Sequence, residues 1–306
     1  MPENCAGNWE AEYMASPSDA IVDCEAVSHW SLADSLLTRH RRFLIMRFCE
    51  RPPTYDQRRA RISLMFPALL GLTATAAAIA AGYQSMAPTG QWFGNTFTGS
   101  PLGSKQIALT YDDGPNDPHT LKLLDVLAKH DVRATFFMIG RYVQQRPDIA
   151  RAVAQAGHVI GNHTHTHPLL IFKSVAETRA ELLQCRSALQ DAIGQHSNLF
   201  RPPFGGRRPA TLRIAREIGL QPVMWNVTGY DWNAPPAATI ERKVERQMSG
   251  GDVILLHDGS HRALGADRAQ TVIATENLIR RYKDEGWKFV TVEEMQAVSP
   301  TPSLSR

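Results

Sequence analysis

Gln106-Ile-Ala-Leu-Thr-Tyr111-Asp112-Asp113-Gly114-Pro115 reads as a buried strand that ends in two carboxylates and a turn. Similar short β-rich runs recur downstream at Ala134–Ile139, His158–Gly161, Asn198–Arg201, Pro222–Val227, Asp252–Leu256 and Lys288–Val292. Stretches of helical spacing lie between most of them, such as Leu121-x2-Leu124-x2-Leu127 and Ile149-x3-Val153. Helix stops are marked at Ala156-Gly157, Ile218-Gly219 and Glu285-Gly286. Strands alternating with helices predict an α/β fold of about seven parallel strands, doubly wound or closed as a barrel.

Reactive side chains gather at the ends of these runs. Asp112 and Asp113 end the first, and His163 and His167 follow the third. Arg201 ends the fourth, Asp231-Trp232 follow the fifth, and His257-Asp258 end the sixth. Parallel α/β sites are built at the carboxyl ends of strands, and a barrel is the simplest way to make these ends converge. A carboxylate and two imidazoles suit a divalent metal with open positions, leaving the second carboxylate free as a base. The spacing of His163 and His167 predicts one helical face, with His165 pointing away. Each piece also has an ordinary reading: Asp112 to Pro115 as a turn, the histidines as surface residues, Arg201-Pro-Pro-Phe204 as a rigid loop. Their conjunction carries the argument.

Composition narrows the classes. The chain has 306 residues, 43% hydrophobic and 21% charged, with a net charge of +3. It can bury a full core, and no basic run interleaved with aromatics points to nucleic acid. Its four cysteines form no C-x-x-C pair, which excludes a zinc ribbon, and Cys185 reads as a small apolar core residue. No obligate protein partner is indicated.

Residues 1–57 lack sustained periodicity and read as a poorly ordered tail or a mis-assigned start, since Met46 or Met65 could equally begin the protein. Arg58-Arg59-Ala60-Arg61 precede a run without charge, residues 62–82, long enough to cross a bilayer. With its basic flank inside, residues 58–82 form a signal anchor or, by the small-x-small site Ala78-Ile79-Ala80, a signal peptide. A buried helix is the competing reading. Either export reading places the body outside the cytoplasm, membrane-anchored or secreted. Residues 83–103 read as a linker, 104–296 as the catalytic domain and 297–306 as a disordered tail.

The ordered set resembles the polysaccharide deacetylases, the NodB-type domain of carbohydrate esterase family four. Thr110-Tyr-Asp-Asp-Gly-Pro115 is similar to T-F-D-D-G-P, and His163-Thr-His-Thr-His167 to H-[ST]-x-x-H. Arg201-Pro-Pro-Phe204 is similar to R-x-P-[YF], Asp231-Trp232 to the end of D-x-x-D-W, and Leu255-Leu-His257 to L-x-H. The resemblance covers about residues 104–295 and implies a distorted (β/α) barrel of about seven strands. It implies that Asp113, His163 and His167 hold a divalent metal, zinc first. Asp112 would be the base, kept in place by Arg201, and His257 the acid, oriented by Asp231. Trp232 and Leu255 would line the acetyl pocket, Phe204 would give a backbone N–H to the oxyanion, and Tyr111 belongs with the residues near substrate.

Three positions depart from the pattern: Tyr111 for the usual Phe, Phe204 where Tyr is common, and Thr228 for the first Asp of D-x-x-D-W. The implied activity is removal of N-acetyl groups from N-acetylglucosamine polymers, peptidoglycan or chitin-type oligosaccharide. An O-acetyl xylan esterase on the same barrel, a non-carbohydrate amidase and a catalytically silent carbohydrate-binding barrel are the alternatives.

Overall fold

The structure, a computed structural model, describes residues 54–194 and 198–298. Of the expected tails, 1–57 and 297–306, residues 1–53 and 299–306 lie outside the described residues, while 55–57 and 297–298 are helical. The chain divides into two compact units, Met1–Leu69 and Leu70–Arg306. The described part of the first is the opening half of helix α1 (Tyr55–Met86). Within α1, Met65–Met86 form a segment of 22 residues apolar enough to cross a membrane. Phe66, Leu70 and Leu72 stand exposed on it. The helix contains the expected span 62–82 but starts earlier and ends later.

The second unit is built on a parallel sheet. Its strands are β1 (Gln106–Gly114), β2 (Thr135–Met138), β3 (Val159–Asn162), β4 (Leu199–Phe200), β5 (Gln221–Pro222), β6 (Val227–Thr228), β7 (Asp252–His257) and β8 (Lys288–Phe289). They run in the order β5-β4-β3-β2-β1-β7-β6, with β8 paired to the start of β1. The sheet is a curled half-barrel, not a closed ring, because β5 and β6 do not pair. The single run expected over Pro222–Val227 is split in two. Val223 N–H still bonds Phe200 O of β4 at 2.8 Å, but Met224 N–H leaves that ladder and bonds Phe97 O at 2.7 Å.

Strand alternation sorts the core. Ile107, Leu109 and Tyr111 face outward with Phe136, Met138, Ile254 and Leu256 into the layer of helices. These helices include α2 (His119–Lys129), α3 (Gly140–Gln145), α4 (Pro147–Gln155), α5 (Val175–Ile193), α6 (Pro209–Glu217), α7 (Ala237–Glu245) and α8 (Ala269–Asp284). Ala108, Phe137, Leu199, Val223 and Val253 face the concave side, which Val292 and Met295 of α9 (Val292–Val298) help to fill. The expected glycine stops follow α4, α6 and α8, with Gly157, Gly219 and Gly286 at φ of 79°, 79° and 77°. Cys185 is buried in the outer core, as expected.

Residues 83–103, expected as a linker, are built into this unit. Phe97 bridges Val223 in parallel and Gly99 bridges Asp252 antiparallel, strapping the open side of the sheet. Arg207 is buried and donates to the carbonyls of Gly205, Ala87 and Gly90 at 3.0, 2.8 and 2.5 Å. Its own N–H bonds Ser85 O at 2.9 Å. A buried guanidinium without a carboxylate is tolerable only with such carbonyl partners, so the end of α1 is tied to the loop that carries Phe204.

Candidate active site

The end of β1 does not alternate. Its pairing with β2 shifts register between Asp112 and Gly114, and Asp113 takes a left-handed φ of 73°. The bulge turns both carboxylates into one pocket, although successive residues of a regular strand point to opposite faces. A Cβ at Gly114 would collide with the Asp258 carboxylate, which requires glycine at that position.

The histidine segment is not helical either. Asn162 Oδ1 accepts the Thr164 N–H at 2.9 Å, and Thr164 Oγ1 accepts the His167 N–H at 3.1 Å. The Glu181 carboxylate accepts the N–H groups of His165 and Thr166 at 2.9 and 2.8 Å. These side chains satisfy the backbone locally and hold Thr164 and His167 at φ of 64° and 62°. His163 and His167 meet through this folded loop and not through a helical turn.

His163 Nδ1 lies 2.8 Å from the Arg201 carbonyl. A carbonyl only accepts, so Nδ1 carries the proton and Nε2 keeps its lone pair toward the carboxylates. Nε2 is 3.6 Å from Asp113 Oδ1 and 3.7 Å from Asp112 Oδ2, while His167 Nε2 is 3.1 Å from Asp113 Oδ1. Burial pushes His163 down to about 4, with the Asp112 charge opposing only in part, so the imidazole is neutral. Burial would raise Asp113, but His167 and His261 beside it hold its carboxyl well below the usual range. One ligand atom from each of Asp113, His163 and His167 lies within 4.8 Å of the others. Asp113 Oδ1 is buried and meets no well-directed donor among the described residues. An ionised carboxylate and two imidazoles facing one point fit a divalent cation.

Asp112 is fastened from the other side. Arg201 is fully buried and donates through Nη1 to Asp112 Oδ1 at 2.8 Å and to Thr110 Oγ1 at 2.7 Å. Its Nη2 reaches Met224 O at 3.0 Å, and its guanidinium carbon sits 4.1 Å from the centre of the Phe137 ring. Thr110 in turn donates to Ile254 O at 2.6 Å.

His257 Nδ1 lies 2.8 Å from Asp231 Oδ1. Asp231 also accepts the His257 N–H and the Thr271 hydroxyl, each at 2.8 Å. Burial would depress the imidazole, but the Asp231 charge and hydrogen bond outweigh it and carry His257 up to about 9. It is therefore an imidazolium at neutral pH. Asp231 is held low by the same partner despite its burial.

Asp112, Asp113, His163, His167 and His257 line one cavity of about 480 Å³ with Phe204, Trp225, Trp232, Leu255, Ser260, His261, Arg262 and Arg268, while Arg201 and Asp231 are fully buried behind it. Trp232 stands edge-on to His257, with ring centres 5.8 Å apart, and Arg268 donates to its carbonyl at 3.1 Å. Phe204, at φ 57°, stands edge-on to His167 with centres 4.6 Å apart. Tyr111 is the exception among the expected residues: it is buried in the outer core, hydroxyl 3.0 Å from Thr275 Oγ1, and does not line the cavity. Strand alternation places it opposite Asp112 and Thr110.

Sequence reasoning did not single out His261, Arg268, Thr271 or Trp225. They lie between or beyond the motifs, and no local pattern marks them. Asp258 was noted only as the neighbour of His257. Burial pushes its carboxyl up to about 7, and it accepts the Thr120 hydroxyl at 2.5 Å behind the bulge.

Residues 99–223 match the family model described as polysaccharide deacetylase. A peptidoglycan-N-acetylglucosamine deacetylase from Bacillus cereus is 37% identical over 197 residues, covering 64% of this chain and 90% of that protein. The crystal structure of the Bc1960 peptidoglycan N-acetylglucosamine deacetylase superposes with TM-score 0.62 at 34% identity, covering 65% of this chain and 92% of that one. That of a family pseudoenzyme from Bacillus anthracis superposes with TM-score 0.61 at 27% identity, covering 66% and 68%. The fold is thus shared with an enzyme and a pseudoenzyme alike, and the residues in the cavity have to carry the distinction. The chain belongs to the polysaccharide deacetylase family.

Proposed function

We propose that this chain removes N-acetyl groups from N-acetylglucosamine-containing polysaccharide, peptidoglycan or chitin-type oligosaccharide, with zinc as its divalent ion. The observation that supports this reading most is the pairing of a restrained carboxylate with a cationic imidazole beside three ligand side chains. Arg201 occupies Asp112 Oδ1 and leaves Oδ2 toward the cavity, where it takes the proton of the attacking water. Asp231 occupies His257 Nδ1 and leaves Nε2–H to protonate the departing nitrogen. An amine leaves an amide only when protonated, which suits a histidine held cationic to about 9.

Asp113, His163 and His167 would hold the ion, which supplies Lewis acidity to the acetyl carbonyl and to water. The Phe204 N–H is assigned to the developing oxyanion, and Leu255 and Trp232 to the acetyl methyl. Helix α1 acts as a membrane anchor or signal sequence, so that the cavity works on glycan outside the cytoplasm.

Acetate release from chitopentaose and from peptidoglycan, with metal stripped and restored, tests this reading against Asp112→Asn. Release from both acetylated glucosamine substrates but not from acetylated xylan is expected. Activity on xylan alone would make the protein an O-acetyl esterase. Zinc binding without turnover on any of these substrates would make it a silent barrel.

A further inference from the structure

We infer that His261 is a positioning residue for the cation site, acting through His167; this rests on reading Asp113, His163 and His167 as the ligands. The two histidines are oriented by different means. His163 has its ring turned by the Arg201 carbonyl on Nδ1. His167 Nδ1 is buried and has no hydrogen-bond partner among the described residues. A ligating imidazole usually has its second nitrogen anchored, and that anchor fixes where the first one points. For His167 the anchor is a ring face. His261 stacks on it with centres 4.6 Å apart and planes 13° apart, and Phe204 closes the edge at 4.6 Å.

His261 is itself held against the site. Its N–H bonds Asp113 Oδ2 at 3.1 Å, which leaves Oδ1 to face the two imidazoles. Its carbonyl accepts from Arg141 Nη2 at 2.5 Å and from the Tyr142 hydroxyl at 3.1 Å. The backbone at the start of α3 also grips the histidine loop: Gly140 N–H bonds Thr164 O and Arg141 N–H bonds His165 O, each at 3.0 Å. One short helix thus registers His261 against the segment that carries His167. His261 is not a ligand in this geometry, since the cluster of converging ligand atoms comprises Asp113, His163 and His167.

The test is the zinc affinity of the metal-stripped chain, measured by competition with a chromogenic chelator, so that turnover plays no part. His261→Ala is expected to raise the zinc Kd about tenfold, the lower end for loss of a group that orients a ligand. His261→Phe keeps a flat ring on His167 and is expected to stay within about threefold of the original chain, by the same argument. His261→Leu fills the space without a flat face and is expected to behave like alanine, which covers an alanine variant that fails to fold. Unchanged affinity in both His261→Ala and His261→Leu would overturn the inference. Equal loss in His261→Phe and His261→Ala would also overturn it, by making the imidazole itself a ligand. Absence of zinc binding in the unaltered chain would instead remove the underlying site assignment.

Discussion

The Asp231 carboxylate accepts both the ring and the backbone N–H of His257, each at 2.8 Å, while Thr271 holds it at the same distance from behind. The bidentate grip fixes both the charge and the direction of the imidazole. His257 rises from an ordinary 6.5 to about 9 in the folded protein. Its contribution to stability is complete below about 6.5 and is lost as pH climbs through about 9. Melting temperatures of the metal-free protein should therefore fall across that interval. In Asp231→Asn the loss should move down toward 6.5, and the alkaline limb of the rate profile should move with it. A profile unmoved by Asp231→Asn would detach His257 from the alkaline limb.

Arg201→Met should cost about 3–5 kcal/mol in denaturant unfolding, because it removes the partner of a buried carboxylate. Arg201→Lys should recover little of this. A single ammonium lacks the planar fork that serves Asp112, Thr110 and Met224 together. Full recovery by lysine would show that charge alone matters.

Thr228→Asp should change acetate release less than tenfold, whereas Asp231→Ala should reduce it by about 10²-fold or more, the scale of a general-acid contribution. The backbone of Thr228 is tied to the Gln247 side chain, and its hydroxyl lies 3.4 Å from the Tyr230 N–H, while Asp231 accepts the His257 ring N–H. Comparable losses in the two variants would place His257 under joint control of both positions.

A form starting at residue 104 should be less stable than one starting at residue 83. It loses two carbonyl partners of buried Arg207 and the Phe97 bridge to Val223. Hydrogen bonds to a charged group contribute about 1.5–3 kcal/mol each, so the deficit should reach roughly 3 kcal/mol in urea titrations. Equal midpoints would return residues 83–103 to the status of a linker.

Much of the fold was legible in periodicity. The runs at Gln106, Ala134, His158, Asn198, Asp252 and Lys288 each overlap a strand, and the glycine stops after α4, α6 and α8 stand where expected. The candidate ligands were legible as residue types at strand ends. Two local geometries depart from regular periodicity for one reason. Period-two and period-3.6 arguments assume regular backbone, and both Asp113 and His167 sit at positive φ. The bulge that brings Asp112 and Asp113 into one cavity depends on the close approach of Asp258, remote in the chain, to Gly114. The loop that folds His167 back depends on Asn162 and on Glu181 in α5.

The sequence by itself determined the strand-and-helix alternation, the family and the motif residues Asp112, Asp113, His163, His167 and His257 that face the cavity, because burial and chemistry are written residue by residue. Tertiary structure alone decided which nitrogen of His163 keeps its lone pair, how far His257 is raised and that Tyr111 turns away from the cavity. It also decided that His261 stacks on His167. Those outcomes depend on distances between residues remote in sequence, and hydrogen bonding, desolvation and ring stacking act only over a few ångströms.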